Sequence, residues 1–542
     1  MTEISIKKPY RRWLFGGIGF HNSEATMAPV MNEKFKNERA LKCFREISPT
    51  YSRVFAGYHD WTKEAMDHFA DYYDKTFRDA GTTLYLVPGR IPIPDEDFDI
   101  EEYCERTAAN LEYLIKVRGC TKIQHFCLTN ELSCGNTYAY LERDLDLFKK
   151  LQTGLYKSFK RHGLDIGLLA TDCSGESTLY QVDWAIENMD EITSDYCTHL
   201  YLQKYQPEDL EAYEYCRSIF AEQVAKCQKV QKRYVIGEYG IKKRGWGNDI
   251  GKYPMWNNVS YNVDCPENDA LYALAIAEMS AAIVNSGTFA ACLWTMIDYP
   301  DPMIKENGDT PEEKARYEVC RFSGHGMQIR YNKNGLIRWC DDEHDYSAKA
   351  GLYTMGYMAK LFKKGSRVLE CSSDDELIRT CAVTNSDGSV SICIINRNIE
   401  RTDACLKLEH ECKKPLRRYD FLVSNPNENK FCDLQDFSAL VDCNGSVVLS
   451  LEGQSVTFLT TDYENTVPSP VLGVMIKKGK LVWKPSKDKE HRYYRVFASD
   501  EKNFIPCYEN QIASTVAEYL DIEDENLNYR VISVNKYGNA GK

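Results

Sequence analysis

A chain of 542 residues, 43% hydrophobic and 27% charged, has the composition of an ordinary water-soluble globular protein. Its length fits three or four domains, or one large barrel with appendages. The net charge of −13, from 67 Lys and Arg against 80 Asp and Glu without a basic cluster, argues against nucleic acid or an anionic membrane as a partner.

No stretch approaches the roughly 20 apolar residues that a membrane span requires. Near the N-terminus, Lys7, Lys8, Arg11 and Arg12 precede Leu14-Phe15-Gly16-Gly17-Ile18-Gly19-Phe20. That run is short, rich in glycine and without a small-residue cleavage site, so it reads as no secretory signal and the expected location is cytoplasmic. The 21 Cys are scattered from Cys43 to Cys507 with no CxxC pair and no zinc-spaced His cluster. Such usage fits small buried hydrophobes in a reducing compartment, with no metal and no cofactor. The 36 Tyr and 8 Trp offer flat surfaces suited to sugars, although aromatics also serve as ordinary core residues.

Up to about residue 345 short apolar runs alternate with longer helical patterns. The predicted strands are Trp13–Phe20, Tyr51–Ala56, Thr82–Val87, Lys122–Thr129, Ile166–Thr171, Tyr196–Leu202, Tyr234–Glu238 and Phe289–Met296. Their starts are spaced by about 40 residues on average, enough for one helix in each gap. Met66, Phe69, Tyr72, Tyr73 and Phe77 show the helical period between two of them; Leu145, Phe148, Leu151 and Leu155 show it between two others. The eighth helix is predicted at Tyr346–Phe362. Eight strand–helix units predict a (β/α)8 TIM barrel over 1–364 rather than an open doubly wound sheet, which needs fewer strands.

From Gly365 the pattern becomes all-β, with runs at Arg367–Cys371, Leu377–Val383, Val390–Asn396, Leu416–Leu422, Val447–Leu451 and Ser455–Thr460. Asn385-Ser386-Asp387-Gly388 reads as a hairpin turn. These runs predict a β-sandwich over 365–463. After the linker-like Thr466-Val467-Pro468-Ser469-Pro470, a second small all-β domain spans 467–542, with Leu481-Val482-Trp483, Tyr493-Tyr494-Arg495-Val496-Phe497 and Tyr529-Arg530-Val531-Ile532. It resembles a fibronectin type III module and holds no candidate catalytic residue.

In a barrel of this kind the C-terminal strand ends carry the chemistry. The fourth strand runs into Thr129-Asn130-Glu131 and the seventh ends at Gly237-Glu238-Tyr239-Gly240, which places two carboxylates at one mouth. Of four Asn-Glu pairs in the chain, only Asn130-Glu131 follows an apolar strand. Alternation points His199 and Tyr201 of the sixth strand toward the same mouth. Arg53 interrupts the apolar second strand, His21 follows the first and Trp294 lies on the eighth. One buried Arg or His is commonly structural, but so many polar strand ends beside two glutamates are hard to explain as packing.

These residues resemble the pattern of the clan A retaining glycoside hydrolases, and the following sandwich is similar to the xylosidase-, arabinofuranosidase- and glucosylceramidase-like families of that clan. The resemblance implies Glu131 as acid/base and Glu238 as nucleophile, with His21, Arg53, Asn130, His199, Tyr201 and Trp294 binding the sugar. The departures are Leu128-Thr129-Asn130-Glu131-Leu132 in place of the Trp-Asn-Glu-Pro form, and a nucleophile set in Gly-Glu-Tyr-Gly. Glu131 is then expected to stay protonated near neutral pH, through burial and the charge of Glu238, while Arg53 and Tyr201 keep Glu238 ionised.

The implied activity is exo-acting hydrolysis of short oligosaccharides or glycosides by double displacement. The alternatives are a transglycosidase on the same glutamates and a non-catalytic carbohydrate-binding protein on a decayed barrel. Gly17-Ile18-Gly19 lacks the third glycine of a dinucleotide loop. His344-Asp345, in an acidic run, reads as a solvated loop before a cation site.

Overall fold

The computed structural model describes residues 1–8, 14–22, 33–55, 62–88, 98–132, 141, 144–202, 211–241, 270–297, 299–300, 331–332, 335–338, 346–426 and 429–541. Trp13, Ala56, Asn32, Asn427-Glu428 and the acidic run at 341–345 lie outside them.

Strands β2 (Gly17–Asn22), β3 (Tyr51–Phe55), β4 (Thr83–Val87), β5 (Ile123–Cys127), β6 (Gly167–Ser174), β7 (Asp195–Leu202), β8 (Tyr234–Ile241) and β9 (Ala290–Leu293) close in chain order into a parallel barrel. Each is followed by a helix: α1 (Glu33–Ile47), α2 (Lys63–Thr76), α3 (Ile100–Glu112), α4 (Leu145–Arg161), α5 (Tyr180–Met189), α6 (Glu211–Lys229), α7 (Ala270–Ser286) and α8 (Ala350–Leu361). The expected (β/α)8 barrel is present.

The helices follow from caps and spacing. In α4, Asp144 accepts from the Leu147 amide, while Phe148, Leu151, Leu155 and Phe159 recur at three- and four-residue intervals on the buried face. Thr62 and Asp99 cap α2 and α3 in the same way. Tyr51, Tyr85, Val87, Cys127, Leu169, Cys197, Val235, Ala290 and Cys292 fill the barrel interior. The scattered cysteines thus include close-packed barrel filler, and those described are free thiols, most of them buried.

The β-sandwich pairs two sheets. One has β12 (Arg367–Val368), β14 (Ile378–Thr384), β15 (Val390–Asn396), β20 (Ser455–Thr460), β17 (Leu416–Leu422) and β18 (Ala439–Val441) in that order. The Asn385–Gly388 turn joins β14 to β15 as expected, with Gly388 at φ 82° closing onto the Asn385 carbonyl. The other sheet has β13 (Glu370–Ser373), β1 (Thr2–Lys7), β16 (Thr402–Leu408) and β19 (Ser446–Leu451).

Here the structure corrects the assignment of 1–364 to the barrel. Thr2–Lys7 buries Ile4 and Ile6 in the sandwich core, between β13 and β16, far along the chain from its sequence neighbours. Strand β16 also escaped the reading, because its outward positions carry Asp403 and Lys407 and leave only Ala404, Leu406 and Leu408 to mark the inner face.

The last β domain holds two three-stranded sheets. β21 (Met475–Lys477), β22 (Lys480–Val482) and β25 (Tyr519–Asp521) form one; β24 (Gln511–Thr515), β23 (His491–Ser499) and β26 (Asn528–Asn535) form the other. Trp483 packs edge-on against Tyr494 in its core.

This domain is bound to the barrel through a buried polar knot. Lys42 of α1, fully buried, meets Glu46 at 2.6 Å and Asp433 at 2.5 Å. From the last domain, Tyr493 donates to Glu46, and Arg495 and Gln511 reach Asp433. Lys42→Met is therefore expected to leave two buried carboxylates short of a cation and to lower unfolding free energy by about 3–5 kcal/mol, measurable by urea denaturation. Removing 467–542 strips the same acids of Tyr493, Arg495 and Gln511, so the domain contributes to stability although it is remote from the barrel mouth.

Candidate active site

Strand register brings the polar side chains together. His21 lies beside Arg53 across β2–β3, Arg53 beside Tyr85 across β3–β4, and His199 beside Glu238 across β7–β8. All are buried at the C-terminal mouth.

Glu238 is held at both oxygens. Arg53 Nη1 donates to Oε1 at 2.5 Å and the Tyr201 hydroxyl to Oε2 at 2.6 Å. Arg53 Nη2 donates to Asn130 Oδ1 at 2.6 Å, which fixes the amide and leaves its NH2 group facing away from the guanidinium. Glu131, at φ 56°, is one-fifth exposed and places Oε1 3.1 Å from His199 Nδ1. A carboxylate oxygen of Glu131 and one of Glu238 lie within 4.8 Å of each other and of a His199 nitrogen. Trp294 stands over His21, with ring centroids 4.3 Å apart. Each of the eight residues named from the sequence is thus part of one constellation or in contact with it.

The sequence reading missed one member. Asp172, fully buried at φ 59°, receives Arg53 Nη2 at 3.0 Å and the Tyr85 hydroxyl, and its Oδ1 lies 2.8 Å from His199 Nε2. The expected strand stopped at Thr171, but β6 continues to Ser174, with a register irregularity between Thr171 and Cys173 that turns Asp172 inward. The one available signal was an acid directly after an apolar strand run, at the level of Asn130-Glu131. Gly237 makes room for the pair: a Cβ there would stand 2.8 Å from both Asp172 Oδ1 and His199 Nε2.

Asp172 changes the electrostatics that the sequence implied. Burial alone would lower the His199 pKa, but the charges of Asp172 and Glu238 raise it to about 10. Burial would raise Glu131, yet the bond and charge of His199 bring it down to about 2. Glu238 is shifted the other way: burial raises it, against His199 and Arg53. Against the expectation of a protonated Glu131, these shifts favour an ionised Glu131 beside an imidazolium at His199, with Asp172 the first of the charges that raise the ring. Burial, then Arg53, lowers the His21 pKa, so His21 is neutral. It accepts from Arg53 at Nδ1 and carries its hydrogen on Nε2, which has no partner among the described residues.

Glu131, His199 and Glu238 each offer one atom within 4.8 Å of the others, and so do Cys127, Asp172 and Cys197 deeper in the barrel.

Solved structures share the architecture. A bacterial orthologue of human α-L-iduronidase aligns over 100% of this chain and 98% of its own, at 14% identity and a TM-score of 0.59. The fold is that of the clan A glycoside hydrolases. The family 30 subfamily 8 xylanase of Clostridium acetobutylicum covers 84% of this chain and 99% of its own (14% identity, TM-score 0.55). The family 51 arabinofuranosidase of Xanthomonas axonopodis pv. citri covers 85% and 100% (13% identity, TM-score 0.53). No protein-family model matches the sequence, and no curated protein matches it. Among the described residues, no helix is long and apolar enough to cross a membrane.

Proposed function

We propose that the chain is a retaining glycoside hydrolase in which Glu238 is the nucleophile and Glu131 the acid/base. The observation that carries this reading is the pair of carboxylates at the mouth, with oxygens within 4.8 Å of each other. That spacing suits attack by one carboxylate while the other serves the leaving oxygen; inversion needs room for a water between them, with about 6.5–9.5 Å between the carboxyl groups.

Glu238 attacks the anomeric carbon as the glycosidic C–O bond breaks, and the departing oxygen takes a proton from Glu131. Water, deprotonated by Glu131, then attacks the same carbon and releases Glu238. Glu131 and His199 share one proton, which the shifts of both groups favour on His199. A sugar covering Glu131 removes its remaining water and favours the neutral pair, imidazole and carboxylic acid, which is the competent donor. His199 is thus a partner in proton supply as well as a hydrogen-bond donor, and Asp172 is a positioning residue acting through it.

Asn130, fixed by Arg53, offers its NH2 to the sugar 2-hydroxyl; His21 offers Nε2–H; Trp294 supplies an apolar floor. The last β domain fits a fibronectin type III-like unit, with its split into two small antiparallel sheets and the Trp483–Tyr494 contact in support.

The test is a panel of aryl glycosides and short oligosaccharides, with products read by mass and the first-formed anomer by NMR. Release of single sugars of retained configuration supports an exo-acting retaining hydrolase. Inverted product rejects the mechanism, and binding without turnover across the panel rejects the enzyme.

Gly237→Ala is expected to push Asp172 and His199 apart, lowering kcat/KM by roughly 10- to 100-fold, since small displacements of positioned groups cost about this much. Unchanged circular dichroism and Tm would separate this loss from unfolding.

A further inference from the structure

A cavity of about 490 Å³ opens where the barrel, the sandwich and the last β domain meet, on the side of α8, β17 and residues 537–540. Five charged side chains line it. Three are matched: Glu46 pairs with Lys42, and Arg495 pairs with Asp433 and with Asp436, which is itself on the wall. Lys360 and Arg417 remain.

Arg417, from β17, is 3% exposed. Its guanidinium donates only to neutral acceptors, the Tyr537 carbonyl at 3.0 Å and the side-chain oxygens of Asn465 at 3.1 Å and Asn539 at 2.9 Å. Its Nε has no partner among the described residues. Lys360, in the last turn of α8, donates to the Glu46 carbonyl at 3.1 Å, again a neutral acceptor. Neither cation has a carboxylate within ion-pair distance among the described residues. Gln435, on the same wall, has a buried Nε2 without a partner.

The Phe437 and Tyr463 rings lie 4.6 and 4.2 Å from the Arg417 guanidinium carbon and Lys360 is only partly buried, but neither cation gains a counter-ion, and a spare amide donor beside them adds to the cost of desolvation. The two cations come from separate domains and line a volume larger than an inorganic anion requires. Donors from several sides match the oxygens of a tetrahedral anion, and the spare volume accommodates a small carbon skeleton.

We propose that this junction binds a phosphate group, free or as a small phosphate monoester, between Lys360 and Arg417. Burial, with further lowering by Lys363, Arg492 and Lys42 and only Glu46 opposing, brings the Lys360 pKa to about 8, the behaviour of an ammonium that lacks a sufficient counter-charge. Bound phosphate supplies that charge and ties the three domains together. The proposal does not depend on the glycosidase reading, since the cavity uses none of the residues at the barrel mouth.

The experiment is thermal unfolding of the full chain with inorganic phosphate, with a hexose 6-phosphate, and with chloride at matched ionic strength. A saturable rise in Tm over the chloride control, on the order of 2 °C at ten times the midpoint concentration, is expected for a ligand of the native state. A lower midpoint for the hexose phosphate identifies the monoester as the ligand; equal midpoints identify the free anion.

Lys360→Met is expected to lose the response while matching or exceeding the wild-type Tm in chloride, because an uncompensated cation has been removed. Lys360→Arg is expected to keep the response. Gln435→Met provides a second variant that leaves the charge in place, with a midpoint raised severalfold. A response that survives in Lys360→Met, or no saturable response to either phosphate in the wild type, overturns the proposal.

Discussion

Glu238→Ala is expected to lose turnover on every glycoside, by on the order of 10⁵-fold in kcat, a loss of the size seen when a nucleophile is deleted. Without that carboxylate no covalent intermediate forms, and a better leaving group does not help. Glu131→Ala is expected to behave differently. A dinitrophenyl glycoside needs no proton on its leaving oxygen, so glycosylation of Glu238 continues and the glycosyl-enzyme accumulates for lack of a base to activate water. An alkyl glycoside should lose roughly 10²- to 10⁴-fold in rate, the usual contribution of general acid catalysis. Azide separates the two variants. With Glu131→Ala it should speed turnover and yield a glycosyl azide of retained configuration, whereas with Glu238→Ala any azide product is inverted. Similar responses of both variants to leaving group and azide would refute the assignment of roles, and full activity in both would move the site elsewhere.

The barrel was legible because its signals are local. Each strand is a largely apolar run of four to eight residues, and each following helix carries its own three- and four-residue period, so chain order alone delivers the closed sheet. The mouth was legible for the same reason: Glu131, Glu238, His199 and Arg53 are polar residues placed at or just beyond apolar strand ends.

Features that depend on distant partners were harder to read. Thr2–Lys7 alternates polar and apolar residues as a strand should, but nothing in those six residues says that Ile4 faces the sandwich instead of the barrel that follows in sequence. Asp172 is a stronger case, since its inward turn depends on φ 59° and a register irregularity, and both belong to the folded backbone. Missing that one carboxylate reversed the expected protonation of Glu131. Two strands that hold their side chains correctly do not fix the charge state between them while a third is unaccounted for.

Asp172→Asn tests that electrostatic argument. Asp172 heads the charges that raise His199, so its neutralisation should lower the His199 pKa from about 10. A group whose folded pKa is raised holds its proton below that value and loses it as pH rises through it. The proton shared by His199 and Glu131 should therefore leave at lower pH in the variant, and the alkaline limb of kcat/KM should move down. Glu131 feels two opposed changes, since a weaker His199 charge raises its pKa from about 2 while loss of the Asp172 charge, itself among those that raise it, lowers it. The acid limb belongs to Glu238, which must be ionised to attack. Burial raises its pKa against His199 and Arg53, and His199 still holds its proton at the pH of that limb, so the acid limb should stay in place. The profile narrows from the alkaline side, with kcat/KM at its maximum lowered by roughly 10- to 100-fold through looser positioning of Arg53 and His199. A uniform loss of activity at unchanged limbs would mean that Asp172 only holds the fold of β6. An alkaline limb that moves up would mean that the shared proton lies elsewhere than between His199 and Glu131.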